Sequence, residues 1–123
     1  MYTIKEVSRM MDVSEHTLRF WAKSDFFPLV TRNENNFRMF SDTDVEFVKI
    51  IKCLRAIGTD NKNIKKYIDL CLIGDSTIEQ RYEIIKETHK KAIEQMKEHQ
   101  KRLELLDYKE KYYQNLMKKA GIK

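Results

Sequence analysis

Residues 13–21, VSEHTLRFW, decide the fold because they start a helix directly behind a turn. Ser14 is a typical N-cap residue, and Leu18 and Trp21 follow at helical spacing. The pattern predicts a helix over residues 14–24 that buries Leu18 and Trp21 and exposes a polar opposite face.

A second short helix is predicted just upstream. Thr3 and Glu6 form a capping-box pattern, and the apolar residues behind them recur at helical spacing to about residue 11. Asp12 and Val13 interrupt the pattern. Two short helices over 3–11 and 14–24, joined by a tight turn, indicate a helix-turn-helix unit.

The segment after residue 24 predicts a small β-hairpin, or wing, over about 30–40. Asn33–Asn36 separates two extended runs, and asparagine tolerates the positive φ that such a turn needs. Capping signals and apolar periodicity then predict helices over 42–57 and 60–72. We therefore expect a winged helix-turn-helix domain over residues 1–74.

The last predicted element is one long helix over residues 75–118, followed by a tail over 119–123. Ser76 and Glu79 resemble a capping box, and the helix would be roughly 65 Å long. A stripe of apolar residues at heptad spacing runs along this helix, and we call this stripe the seam. The seam residues are Ile78, Tyr82, Ile85, Met96, Leu103, Leu106 and Tyr113. A domain of about 70 residues is too small to cover this stripe, which predicts a coiled-coil homodimer.

The composition narrows the class of protein. The net charge is +5 over 123 residues, and the mean hydropathy is −0.65. We expect a cytoplasmic protein with no membrane segment or signal peptide. Cys53 and Cys71 do not have zinc-site spacing, and no carboxylate pair, phosphate loop or metal signature appears. We expect no cofactor, no metal site and no enzymatic activity.

Four blocks of sequence closely resemble the MerR family of transcription regulators. They are YTIKEV at 2–7, VSEHTLRFW at 13–21, NFRMFS at 36–41 and IKCLRAIG at 51–58. The resemblance implies a mainly α fold in which the long helices form an antiparallel coiled coil in a dimer. It also implies that the homodimer binds a palindromic promoter operator in double-stranded DNA and distorts it, so that RNA polymerase can engage the promoter.

Polar residues on the second helix, the wing and the fourth helix are the predicted DNA contacts. They are Ser14, His16, Thr17, Arg19, Phe20, Lys23, Arg32, Arg38, Lys62 and Lys65. Two alternatives stay open: these are ordinary solvated residues, or Arg38 pairs with Asp42 or Asp44.

The regulatory signal is a separate question. Within the family, the chain most resembles the short thiol-bearing (NmlR/AdhR-like) subgroup, and we expect no separate ligand-binding domain after the long helix. That resemblance makes Cys53 a candidate sensor of aldehydes, electrophiles or redox stress, with nearby lysine and arginine side chains favouring a thiolate. The alternative is that Cys53, like Cys71, is a small buried apolar residue. A non-inducible architectural DNA-binding protein and a coiled-coil interaction module are the competing functions.

Overall fold

The computed structural model describes all residues from Met1 to Lys123 and confirms the predicted mainly helical, winged fold. Its elements in chain order are β1 Tyr2–Thr3, α1 Ile4–Met11, α2 Glu15–Lys23, β2 Thr31–Arg32, β3 Arg38–Phe40, α3 Asp42–Ile57, α4 Asn61–Ile73, a short 3-10 helix Asp75–Thr77, and α5 Ile78–Lys119. None of the helices is both long and apolar enough to cross a membrane.

Local hydrogen bonds define the helix-turn-helix. Thr3 and Glu6 form a full capping box at the start of α1, and Asp12 adopts a left-handed conformation at its end (φ 53°). The Ser14 hydroxyl then accepts a hydrogen bond from the Thr17 N–H at 3.1 Å and begins α2. Each cap satisfies a backbone group that the helix end leaves free, so the turn between α1 and α2 is fixed.

The wing belongs to a three-stranded antiparallel sheet of order β1-β3-β2. Arg32 faces Arg38 across the hairpin, while Tyr2 pairs with Phe40 on the other edge of β3. The sequence analysis did not predict β1, because a two-residue strand has no periodic signal. Its pairing brings the start of α1 next to the wing.

The hairpin turn forms without glycine. The Asn33 side-chain oxygen accepts hydrogen bonds from the backbone N–H groups of Asn35 and Phe37, both at 3.0 Å. Asn36 has a φ of 63°, which asparagine adopts more readily than most residues. The side chain of Asn33 therefore organises the turn.

One apolar core holds α1–α4 and the sheet together. Trp21 lies in this core, as predicted, and is 4% exposed, while Leu18 is fully buried beside it. Phe27 and Phe40 meet edge to face at 5.4 Å and join the wing to the core. Because these side chains are buried, the opposite face of α2 is the one left to solvent.

The predicted start of the long helix is wrong. Ser76 lies within the 3-10 helix and makes no side-chain cap; α5 begins at Ile78 and ends at Lys119, so Lys119 is also not part of the tail. The side chain that orders the start of α5 is that of Thr77 and not that of Ser76. Its hydroxyl lies 2.5 Å from the Leu70 carbonyl oxygen and 2.8 Å from that of Gly74. Since Thr77 is 6% exposed, these bonds stabilise a buried junction.

The chain divides into two compact units, Met1–Ile85 and Lys86–Lys123. This boundary lies later than the predicted one after residue 74. Arg81 donates hydrogen bonds to the Gly74 carbonyl at 3.0 Å and to the Thr77 hydroxyl at 3.1 Å. The first turns of α5 are thereby bonded to the end of α4 and belong to the first unit.

We expect Ser41→Ala to lower the free energy of unfolding by about 1–2 kcal/mol. Ser41 caps α3, and its hydroxyl also donates to the buried Asp44 carboxylate at 2.9 Å. Thr43→Ala, at an exposed position in the same turn, is the matched control and should change stability by less than about 0.5 kcal/mol. Urea denaturation measures both; equal effects would show that the cap does not stabilise α3.

Acid should remove part of the stability through Glu6. The Thr3 backbone N–H, followed by the Thr3 side chain, holds the pKa of the Glu6 carboxyl below its usual range. A carboxyl whose pKa is lowered by folding stabilises the fold above its unfolded pKa, and this contribution is lost as the pH falls through the folded value. Glu6→Gln should therefore lower the urea midpoint most at neutral pH, with a difference that shrinks in acid. The exposed Glu83→Gln is the control, and a pH-independent difference for Glu6→Gln would contradict the expectation.

Candidate nucleic-acid interface

The solvent face of α2 carries four of the predicted DNA contacts. His16, Arg19, Phe20 and Lys23 are all exposed and recur three or four residues apart, so they share one side of the helix. Phe20 is 50% exposed although it is a large apolar side chain. The structure brings these side chains together on a surface that the core does not use.

The side chains of Ser14 and Thr17 take part in the N-terminal cap of α2. Besides accepting from the Thr17 N–H, the Ser14 hydroxyl donates to the Thr17 hydroxyl oxygen at 2.8 Å. Ser14 is exposed and Thr17 is half-buried. The pair orders the first turn of α2, which is the part of a recognition helix that approaches base edges.

Glu15 lies on the same surface and was not among the predicted contacts. Its carboxylate pairs with Arg19 at 3.4 Å, and the two side chains are 40% and 50% exposed. An exposed pair of this kind contributes little to stability. Its effect is to hold the Arg19 guanidinium along the start of α2.

The wing places two arginines side by side. Arg32 and Arg38 are directly opposed in the β2–β3 register, and Arg32 donates to the Asn36 carbonyl oxygen at 2.8 Å. Neither forms a salt bridge. Like charges directly opposite each other destabilise a hairpin. The pair is suited to binding an anion that lies across the wing.

The alternative that Arg38 pairs with Asp42 or Asp44 is not observed. Asp42 accepts a hydrogen bond from the Tyr2 hydroxyl at 2.9 Å, which raises the pKa of that hydroxyl. Asp44 is buried in the capping box with Ser41. Both carboxylates have other partners, so Arg38 is not neutralised by them.

An open cleft of about 420 Å³ joins α1, α2 and the wing. It is lined by Thr3, Ile4, Lys5, Glu15, Arg19, Arg32, Asn36, Phe37 and Arg38. Four of these are cationic and one is anionic, so the cleft is electropositive.

Lys5 and Phe37 are lining residues that sequence reasoning missed. Phe37, near the tip of the wing, is 64% exposed. Lys5 lies at the start of α1, directly after β1, and the pairing of β1 with β3, which gave no sequence signal, brings this end of α1 beside the wing. The exposed aromatic at a predicted turn was the one signal available for Phe37.

The two lysines predicted on α4 do not line this cleft. Lys65 is bonded to Asp69 at 2.6 Å, and Lys62 is exposed. The N-terminus of α4 is already capped by Asp60, whose carboxylate accepts from the Asn63 N–H at 2.8 Å. The structure does not join these side chains to the surface formed by α2 and the wing.

The seam residues of α5 are exposed in the single chain. Their exposed fractions run from 37% at Ile85 to 65% at Met96. Exposed apolar side chains at heptad spacing are typical of a helix that pairs with another helix.

Cys53 is exposed on α3, so the alternative that it is a buried core residue is wrong. Its basic neighbours contact other groups: Lys52 donates to the Met11 carbonyl at 2.8 Å and Arg55 to the Asn61 side chain at 2.6 Å. Cys71 is half-buried beside Tyr67. Burial, followed by the neighbouring Cys71, raises the pKa of the Tyr67 hydroxyl.

Comparisons with known proteins place this chain in a family. Residues 2–71 match the model of the MerR helix-turn-helix family of regulatory proteins. A protein of Haemophilus influenzae, described as an uncharacterized HTH-type transcriptional regulator, is 33% identical over 99% of this chain and 90% of its own length. The HTH-type transcriptional regulator AdhR of Bacillus subtilis is 28% identical over 74% of this chain and 65% of its own.

The fold is also similar to a solved structure. The crystal structure of HiNmlR, described as a MerR family regulator lacking the sensor domain and bound to promoter DNA, superposes with a TM-score of 0.86 at 34% identity. The match covers 98% of this chain and 95% of that one. These similar proteins are regulators and not enzymes, as predicted for this chain. The helix-turn-helix, the wing and the matched sequence together show that the chain belongs to the MerR family of transcription regulators.

Proposed function

We propose that this MerR-family, DNA-binding transcription regulator binds a palindromic promoter operator as a homodimer and distorts the DNA to control initiation. The observation that carries the proposal is the electropositive cleft between α2 and the wing, in which Arg32 and Arg38 lie opposite each other without an acidic partner. The similarity to HiNmlR, whose crystal structure contains promoter DNA, supports it.

The geometry favours α2 in the major groove. The exposed face of α2 is polar near its capped start, where His16 and Thr17 can reach base edges. Arg19 and Lys23 further along the helix are suited to phosphates, as are the wing arginines. Lys5 adds a cation to the same cleft.

The exposed seam supports a homodimer in which α5, Ile78–Lys119, is the dimerisation segment, while the helix-turn-helix and the wing, within Met1–Ile85, form the DNA-binding domain. Two antiparallel copies of α5 would cover each other's seam and relate the chains by a twofold axis. A twofold dimer reads two inverted half-sites, so the operator is palindromic. The length of the paired helices sets the distance between the two recognition helices.

Distortion of the operator is the proposed route to regulation. Bending or untwisting a site of this length costs a few kcal/mol, on the order of 1–6 for a smooth bend. A change in dimer geometry can supply a difference of this size between two states of the complex. RNA polymerase would then engage the promoter in one state and not in the other.

Cys53 is the proposed sensor of aldehyde, electrophile or redox stress. Its exposure on α3 supports this role, because a modifying reagent can reach the thiol. Modification of Cys53 would change the size and polarity of its side chain on α3. This helix packs against α1 and carries the core residues Ile51 and Leu54.

We expect Arg38→Ala to weaken DNA binding by about tenfold or more and to lower the slope of log affinity against log salt by about 0.9, the value for one phosphate contact. The probe is a duplex that the wild-type protein selects from genomic fragments, and the measurement is fluorescence anisotropy at several salt concentrations. Lys49→Ala removes the same charge from α3, outside the cleft, and is the matched control. Equal losses in the two variants would leave only a nonspecific charge effect and refute the assignment of the cleft.

We expect Cys53→Ser to abolish the response of transcription to methylglyoxal, formaldehyde or diamide while leaving operator binding in place. Cys71→Ser is the matched control because it removes the other thiol. Run-off transcription from the selected promoter, with and without each reagent, measures the response. An undiminished response in Cys53→Ser would remove Cys53 as the sensor.

A further inference from the structure

Two histidines lie on the seam side of α5. His89 and His99 continue the heptad spacing of the seam at positions where most other residues are apolar, and both side chains are exposed in the single chain. In a coiled coil, side chains at these heptad positions are enclosed between the paired helices. Dimerisation through the seam would therefore enclose side chains that gain a positive charge in mild acid.

We propose that His99 makes the homodimer sensitive to pH, so that protonation of its imidazole in mild acid separates the two chains. The inference rests on the proposed antiparallel dimer and adds a control of its assembly. Because a twofold dimer is needed to read two half-sites at once, loss of the dimer would release the operator.

Full overlap of the seam determines which side chains face each other. In an antiparallel pair, the two kinds of seam position alternate and face one another, so the register moves only in steps of one heptad. The register that leaves no seam residue uncovered places Met96 of each chain opposite the partner's His99. It also places Leu106 opposite the partner's His89.

Charges beside the seam favour the same register. Lys86 and the partner's Asp107 occupy facing positions along the edge of the pair, where opposite charges attract. Moving one helix by a heptad in one direction brings Arg102 against the partner's Arg102 instead. Moving it in the other direction leaves Tyr113 without a facing seam position, because that position would precede Ile78, where α5 begins. The full-overlap register is therefore the favoured one.

The two copies of His99 are neighbours at the centre of the pair. Met96 and His99 are consecutive seam positions, so the two layers that they form lie next to each other on either side of the twofold axis. The nearest ionisable group within the seam is then the partner's His99. Arg102, one turn further along, adds another cation at the edge, while Glu98 on the outer side of the helix is paired with Lys101 at 3.3 Å. A charged imidazole at this point would face cations and apolar groups, with no carboxylate in the adjoining layers.

His89 has a different environment in the same register. The partner's Glu110 lies one seam layer away, and the partner's Asp107 lies at the adjoining edge, where it also faces Lys86. A nearby carboxylate favours the charged form of an imidazole. Protonation should therefore oppose pairing at His99 more strongly than at His89, which makes His89 an internal control.

The direction of the pH effect follows from proton linkage. Enclosing a charge between two helices is less favourable than leaving it in water, so the dimer binds fewer protons at His99 than two separate chains do. Lowering the pH therefore favours dissociation, and the dimer is retained at neutral and higher pH. Each chain contributes one His99, so the dissociation constant can rise by up to about a hundredfold for each pH unit.

Fluorescence-detected sedimentation of the full chain tests this switch. The dissociation constant is measured in dilution series at about pH 7.5 and about pH 5.5, at constant salt, because histidine changes its charge between these values. We expect the wild-type constant to rise about tenfold or more at the lower pH. His99→Leu should remove most of this rise. His89→Leu replaces the other seam histidine and, as the matched control, should keep most of it.

A permanently charged variant gives a second measurement. His99→Lys should weaken the dimer at both pH values, while circular dichroism shows whether its helix content is retained. A wild-type dissociation constant that is the same at both pH values, or a rise that persists in His99→Leu, would overturn the switch alone. A folded His99→Lys dimer as tight as the wild type would do the same. A wild-type protein that is monomeric at neutral pH and lacks operator affinity would overturn both the switch and the proposed function.

Discussion

The exposed apolar seam of α5 is the constraint on which the functional account depends. Side chains such as Met96 and Leu106 remain more than half exposed in the single chain, and they recur at the spacing that helix pairing uses. Water contact with this much apolar surface is unfavourable, so a second copy of the helix is the natural partner. In the proposed twofold dimer, the pairing of the helices sets the symmetry of the operator and the separation of the recognition helices.

The candidate DNA-binding surface depends on a different set of interactions, of which some are local to α2 and one is a strand pairing between distant parts of the chain. Burial of Leu18 and Trp21 determines which face of α2 is free, and the Ser14 cap determines where that face begins. The β1–β3 pairing then sets the start of α1 beside the wing arginines. An electropositive cleft results from backbone pairing as much as from the number of basic residues, since the chain's net charge is only +5.

Much of this arrangement could be predicted from sequence because strong local signals control it. The capping boxes at Thr3 and Ser41 and the periodic apolar residues placed α1 and α3 correctly. Weak or nonlocal interactions escaped prediction: the two-residue strand β1, the contribution of Lys5 to the cleft, and the replacement of a Ser76 cap by the buried Thr77 junction. Cys53 could not be resolved from sequence, because an apolar helix neighbourhood is compatible with either a buried or an exposed thiol.

Selection of bound sequences from a random duplex library by the wild-type protein tests the central claim most directly, because the symmetry of the site reports the symmetry of the protein. The account predicts that the enriched sequences are inverted repeats with one fixed spacing between half-sites. Enrichment of a single unpaired half-site, or of no sequence at all, would contradict a twofold dimer that reads a palindromic operator.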